Sequence, residues 1–583
     1  MGFLVKYLKK FWKLFFTAIL FLLIEATCDL LQPAIMSKIV DVGVAQKDMR
    51  YVINMTMVML MVTGAGATGA FFRNILSNKV SQRFGADLRS DLFKKIQSLS
   101  FDNLDKFESS SLITRLTNDV THIQNFIMGT MRIFVRAPLL AIGSIIMAFL
   151  LNARVAMILV IIVPIVGTLI FLSTKIGYPL FRKVQKTIDK INAISGEYLS
   201  GIRVVKAFNR FDYEVDRFGK ANREMATVSA TALRVMAVFS PGISLTVNIG
   251  IIMVLWLGGT RVNLGQMHVG QIIAFTNYLT QILMSLTMIS MIFNAFVRAR
   301  ASSERVAEVL NEENTMPSAR SSVKAASLNV TVTFENVSFS YKGAHGDPVL
   351  RNINLECRPG ETIGIIGSTG SGKTSMINLI PRFYDVTSGS VKIGSTDVRE
   401  MDLKDLRNKI AIVPQKSVLF TGTIIDNIKW GKENANGAEV ERAARLAHAH
   451  DFIAAFPEGY STILGQGGVN LSGGQKQRIS IARAIIREPE ILIMDDSTSA
   501  VDMVTEAQIR EELKTHLKHM TCFIVAQRIT SVMYADRIIV LDNGVIVGMG
   551  KHDELIQSCD VYRDIFRSQI GKEGITNGRT AKA

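Results

Sequence analysis

The chain has 583 residues, a formal net charge of +16 and 48% hydrophobic residues, with a mean hydropathy of +0.26. That apolarity argues against a wholly soluble protein, and the length leaves room for a few domains of roughly 150 residues each. The basic excess lacks the clustered Lys/Arg with interleaved aromatics of a nucleic-acid binder, so no nucleic-acid partner is expected; the four cysteines form no CxxC pair, which excludes a disulfide framework or zinc site.

At the N-terminus, Lys6, Lys9, Lys10 and Lys13 alternate with Phe3, Leu4, Tyr7, Phe11 and Trp12. The pattern predicts a short amphipathic helix lying on the inner membrane surface. No small-residue cleavage site follows, so the apolar run behind it reads as a retained first span. Six stretches are long and apolar enough to cross about 30 Å of hydrocarbon as helices: 13–39, 52–76, 127–151, 155–176, 235–258 and 269–297. Between them, residues 78–126 and 177–234 are too polar for lipid and rich in Lys/Arg, including Lys94, Lys95, Lys183, Lys186, Arg203 and Lys206. The positive-inside tendency places both of these segments, and hence both termini, in the cytosol of a multi-pass protein of the inner (cytoplasmic) membrane.

Glu25 and Asp29 lie one turn apart on the first span and so share a face. Acids inside a span are costly and suggest function. They meet cationic substrates in a cavity, or they form structural ion pairs with Arg132 and Arg136, also one turn apart; both readings stay open. On the sixth span Met284, Met288 and Met291 form a stripe, with Asn277 and Gln281 below it. Such a surface suits varied small amphipathic ligands, although packing or lipid contact is the commoner reason for such a stripe. The eight histidines form no metal-type cluster.

A polar stretch with a proline, about 311–327, separates two kinds of text. The division is a membrane domain 1–315, a linker 316–329 and a soluble domain 330–583. In the soluble part short β-type runs alternate with helical ones, the pattern of an α/β domain with a largely parallel sheet. "GIIGSTGSGKTSMINLI" carries G-x-x-x-x-G-K-T between a strand and a helix. Gly367, Ser368, Thr369, Gly370, Ser371 and Gly372 present backbone N–H groups to phosphates, Lys373 reaches the outer phosphates, and the Thr374 hydroxyl ligates Mg²⁺, with Ser375 beside it. Asp495, closing the run "EILIMD", holds Mg²⁺ through water. ATP and Mg²⁺ are the expected cofactors.

Further motifs give a specific resemblance over about 330–569. "IVPQKSVLFTGTIIDNI" is similar to the Q-loop of ABC transporters, with Gln415 as its glutamine. "LSGGQKQRISIARAI" resembles the family signature, Leu471, Ser472, Gly473, Gly474 and Gln475, and "SAVD" its D-loop, ending at Asp502. Tyr341 closes "VSFSY" where the family stacks an aromatic on adenine. The first half resembles the six-helix ABC exporter membrane domain, whose two cytosolic loops carry coupling tips, here about 102–107 and 208–212. The resemblance implies a membrane α-helical domain of six helices fused to an α/β P-loop nucleotide-binding domain. It further implies a half-transporter, of which two such chains would make a working unit.

In that family each ATP lies between the P-loop of one chain and the signature of the other. Hydrolysis uses a Glu after the Mg²⁺-binding Asp and a downstream His. Here those places hold Asp496 and Gln527, and Gln466-Gly467 stands where many exporters have Glu-Arg. The resemblance therefore implies a degenerate site that binds Mg-ATP but turns it over slowly. The intact signature would serve a second half-transporter with the usual Glu and His. A homodimer, an exporter-fold importer and an ATP-gated channel are the alternatives.

Overall fold

The computed structural model describes residues 2–316, 331–343, 346–516 and 519–570. All but the first residue of the expected linker 316–329 falls outside them. The chain divides into two compact units. The first comprises Met1–Gln97 and Glu108–Glu312; the second comprises Ser98–Phe107 and Glu313–Ala583.

The first unit is all helix. Helix α1 (Gly2–Lys10) is tied to the third helix: Tyr7 donates to Asp91 at 3.0 Å and Lys10 pairs with Asp87 at 2.7 Å. Lys10 therefore meets a carboxylate rather than the headgroup expected for it. Next come α2 (Trp12–Lys38) and α3 (Met49–Ser98), joined through a π-helical turn, Ile39–Val44. The short α4 (Phe101–Leu104) lies in the second unit. The following span is one path of α5 (Ser109–Thr114), α6 (Val120–Gly129) and α7 (Arg136–Leu151), interrupted by π turns at Arg115–Asp119 and Thr130–Phe134. Then come α8 (Ala153–Ser200), α9 (Ile202–Ala207), α10 (Phe211–Met236), α11 (Phe239–Asn263) and α12 (Val269–Asn311).

Six helical stretches among the described residues are long and apolar enough to cross a membrane, as expected. Several are much longer than the apolar run alone. α3 and α8 continue through 78–98 and 177–200, where the text turns polar without any helix-breaking pair. Pro33 inside α2 removes one backbone donor. Close by, the buried Tyr278 hydroxyl donates to the Leu30 carbonyl at 2.7 Å, a side chain bonding backbone beside the break.

The second unit is built on two main sheets. Strands β1 (Val332–Phe339), β2 (Leu350–Cys357), β4 (Ser388–Ile393) and β5 (Thr396–Asp397) form an antiparallel sheet in the order β2-β1-β4-β5. The other sheet contains β3 (Thr362–Gly367), β6 (Ile410–Val413), β9 (Ile491–Asp495), β10 (Thr521–Val525), β11 (Arg537–Asp542) and β12 (Val545–Gly550). Its order is β12-β11-β3-β10-β9-β6, parallel except for β12. A two-stranded ribbon joins β7 (Gly422–Thr423) to β8 (Ile463–Leu464). The central strands read as unbroken apolar text because both faces are covered; all five residues of β9 are buried. The parallel strands β3, β9 and β10 end together, which sets Gly367, Asp495 and the segment after Val525 along one edge.

Candidate functional site

Strand β3 runs into the glycine turn and then into α13 (Lys373–Leu379). Gly370 and Gly372 have φ of 85° and 97°, and Gly372 is the residue before the helix. A Cβ on Gly372 would sit 2.7 Å from Leu350 and 2.9 Å from the Val349 carbonyl, so only glycine fits. Lys373 folds back over this turn: its Nζ donates to the Gly367 and Ser368 carbonyls at 2.9 and 2.8 Å. Burial lowers its pKa, with Asp495 and then Asp496 opposing. Ser371 is buried, and its hydroxyl has no partner among the described residues. An orphaned hydroxyl, a buried ammonium and a turn with no room for a Cβ fit a polyphosphate.

Thr374 Oγ1 lies 3.2 Å from each oxygen of Asp495. Burial pushes the Asp495 carboxyl up; the Thr374 bond opposes this, Asp496 adds to it, and Lys373 opposes it. A desolvated carboxylate beside a hydroxyl is the donor pair a hard cation takes. Among the described residues no cluster of three or more His, Cys, Asp or Glu could hold a metal unaided, so Mg²⁺ here would depend on phosphate oxygens as well. Gln415, in the segment after β6, donates to Asp496 Oδ2 at 3.3 Å. The Q-loop glutamine is thus brought to the short acid. Asp496 itself has φ of 46°, left-handed backbone that Asp tolerates better than most residues. Its N–H donates to the Val525 carbonyl at 2.8 Å. Gln527 lies exposed just beyond β10, its carbonyl accepting from Gln569 at 2.8 Å. Tyr341 follows β1, its hydroxyl 2.9 Å from that of Ser375.

The signature residues sit at the start of the helix Gly473–Ile485. Ser472 accepts from the Gln475 N–H at 3.3 Å, and Gln475 Oε1 accepts from the Ser472 N–H at 2.9 Å, a reciprocal cap. Leu471 is buried beneath this turn, while Ser472 and Gly473 are exposed. A Cβ on Gly474 would meet the Ala500 carbonyl at 2.8 Å, and Gln477 accepts from the Ala500 N–H at 3.0 Å. Signature and D-loop therefore pack as one body. Asp502 caps the helix Met503–His516 through the Thr505 N–H and hydroxyl. Arg483 donates to the Val418 and Asn427 carbonyls and lies over the Phe420 ring, which ties the Q-loop segment to the signature helix. Gly467 has φ of 66°, so the Arg many exporters carry there would be strained in this backbone.

In the first unit Glu25 and Asp29 do come together with arginines. Glu25 pairs with Arg73 at 2.9 Å and Arg136 at 3.3 Å, and Asp29 pairs with Arg136 at 2.7 Å. Arg132, one of the two expected partners, points elsewhere: it donates to Ser77 Oγ at 2.8 Å and the Asn74 carbonyl at 3.3 Å. Arg73 was not among the sequence candidates. It reaches Glu25 because Gly66 and Gly69 let α3 approach α2; a Cβ on Gly69 would lie 3.1 Å from the Phe21 carbonyl. Gln281 accepts from Ser144 at 2.8 Å, and Asn277 donates to the Ile273 carbonyl of its own helix at 3.0 Å. Asp105 falls in the expected loop tip 102–107, whereas no local motif marks its partner Tyr384.

Residues 15–286 match the family model of the ABC transporter transmembrane region, and residues 350–499 match the family model described as ABC transporter. The chain is 40% identical over 570 residues to the uncharacterized ABC transporter ATP-binding protein YfiB of Bacillus subtilis, covering 98% of this chain and 99% of that one. It is 33% identical over 509 residues to the ATP-dependent lipid A-core flippase of Syntrophus aciditrophicus, covering 87% and 84%. A solved structure of a bacterial Atm1-family ABC exporter with ATP bound superposes with a TM-score of 0.78 at 25% identity, covering 94% of this chain and 97% of that one.

Proposed function

The chain belongs to the ABC transporter family, and on that premise we propose that it is the ATP-retaining half of a heterodimeric exporter of amphipathic or hydrophobic compounds. It has the exporter fold, a transmembrane region ahead of an ATP-binding domain, and its transport is coupled to ATPase activity. Exporters of this family work as dimers in a lipid membrane. One observation carries the finer reading. The binding groups Ser371, Lys373, Thr374 and Asp495 fit Mg-ATP, while the two hydrolytic places hold Asp496 and Gln527.

Lys373 and the glycine turn would hold the outer phosphates, Tyr341 would carry the base, and Thr374, Asp495 and Gln415 would hold Mg²⁺. Mg-ATP bound here would stay largely intact, while hydrolysis of the β–γ phosphoanhydride of a second ATP, at the partner's P-loop, would drive transport. Asp496 is one methylene shorter than Glu, and a misplacement of about 1 Å costs on the order of 100-fold in rate. Gln527 can hydrogen-bond but cannot become a cation. The exposed Ser472 and Gly473 face a partner's P-loop, where the usual Glu and His complete an active site. The similarity to the lipid A-core flippase supports a lipid-like substrate class.

Native mass spectrometry of the complex purified from its own membranes through a tag on this chain tests the pairing. The expected particle holds one copy of this chain and one different half-transporter with Glu after its Mg²⁺-binding Asp. Two copies of this chain would overturn the heterodimer.

A further inference from the structure

Strand β10 ends at Val525, and the chain then turns through Gln527 and Arg528 into the short helix Ile529–Val532. The turn is fixed on its strand side. The Val525 carbonyl accepts from the Asp496 N–H at 2.8 Å, and the Ala526 N–H donates to the Ile365 carbonyl at 3.2 Å. On its helix side it lacks a cap of its own, because Arg528, the residue before the helix, makes no side-chain cap bond. The first N–H groups of a helix need acceptors from outside it.

One such acceptor comes from the helix Asp560–Ile570. Gln569 Oε1 accepts from the Ile529 N–H at 2.8 Å, and Gln569 Nε2 donates to the Gln527 carbonyl at 2.8 Å. A single amide side chain thus closes a ring over the peptide groups on either side of Arg528. Helical spacing aims it there. Tyr562, Phe566 and Gln569 share one face, and the first two are buried with Ile529, Val532 and Ile366 in one apolar core. Tyr562 is itself held, its hydroxyl 2.7 Å from His552 Nδ1. Gln569 is exposed and adds little to this core. Its two bonds set instead where the backbone of Gln527 lies.

We propose that Gln569 is a positioning residue for Gln527: its clamp on the backbone keeps the Gln527 side chain at the terminal phosphate of ATP and so prolongs retention of ATP at this chain's own site. The proposal rests on the reading of that site as ATP-retaining. It adds a determinant outside the run of nucleotide motifs, on a different helix and 42 positions beyond the residue it serves.

Retention is read by photolabelling of this chain. The complex, purified through a tag on it, is loaded on ice with Mg-8-azido-ATP or Mg-8-azido-ADP, chased with unlabelled ATP and irradiated at intervals. The diphosphate lacks the phosphate assigned to Gln527 and so controls for general loosening of the domain. Gln569→Ala should speed the loss of azido-ATP about 3- to 10-fold and of azido-ADP less than about 2-fold. Gln569→Glu keeps an acceptor for Ile529 but sets a second acceptor against the Gln527 carbonyl, and it should match Gln569→Ala. Gln527→Ala should speed azido-ATP loss at least as much, and adding Gln569→Ala to it should speed it no further, because both act by one path. Equal acceleration of both nucleotides, or additive effects in the double variant, would overturn the clamp. If Gln527→Ala speeds the loss and Gln569→Ala does not, only the clamp is wrong. If Gln527→Ala leaves azido-ATP loss unchanged, the role given to Gln527 in the site is wrong and the clamp falls with it.

Discussion

Asp496 occupies left-handed backbone at the end of a fully buried strand, and its carboxylate is within reach of Gln415. Both features hold the shortened acid close to the Q-loop segment. Restoring length and charge together should expose this. Asp496→Glu with Gln527→His is expected to raise turnover at this chain's own P-loop by roughly 10- to 100-fold, the range a 1 Å repositioning commands. The readout is release of labelled phosphate in the purified complex whose other site has been silenced. No gain would mean that slow turnover has another origin. Lys373 has a different part. Lys373→Ala removes the ammonium that spans the glycine turn, and the Kd for ATP at this site should rise at least about 10-fold without unfolding the domain. Photolabelling of this chain by azido-ATP measures it; unchanged labelling would contradict the assignment of the phosphate site.

Helix packing decides the fate of the acids on α2. Glu25 and Arg73 are both buried, with Arg136 bridging to Asp29. Removing one member of such a group leaves an uncompensated charge and costs about 3–5 kcal/mol. Glu25→Gln should therefore lower the melting temperature of the purified protein, and Glu25→Gln with Arg73→Met should recover much of the loss. Transport of cationic and neutral dyes should fall together in Glu25→Gln. A selective loss of cationic dyes, with stability intact, would favour substrate recognition by the acids instead. The helical spacing of Glu25 with Asp29 and of Arg132 with Arg136 was legible in the sequence because it is local. The choice of partner was not. It depends on the close approach that Gly66 and Gly69 permit and on the π turn at Thr130–Phe134, whose Arg132 carbonyl accepts from Arg73 at 3.1 Å. In the same way the motif residues from Gly367 to Asp502 could be read from spacing alone, since each motif is a contiguous run of sequence. Tyr384 could not, because its meaning comes from Asp105, 279 positions away.

At the scale of the whole molecule, the division into a helical membrane unit and an ATP-binding unit follows from hydropathy and motif order, and the family relation agrees with it. What hydropathy does not convey is that residues 98–107 belong to the second unit while their neighbours on both sides belong to the first. In the proposed pair, this chain gives its signature to the partner's active site and keeps ATP at its own. Nucleotide held there without hydrolysis favours the joined state of the two ATP-binding domains throughout the cycle, a population bias that needs only differential affinity. In that pair Asp496 and Ser472 would separate the two tasks within one polypeptide: the first would act at this chain's P-loop, while the second, exposed at a helix start, would face the other. Steady-state ATPase of the complex, purified through this chain with Asp496→Ala or with Ser472→Arg, measures both. Asp496→Ala should change turnover by less than about 3-fold, because little flux passes through it, and Ser472→Arg should lower it on the order of 100-fold. A collapse in Asp496→Ala as deep as that in Ser472→Arg would show that the shortened acid is a working catalytic base.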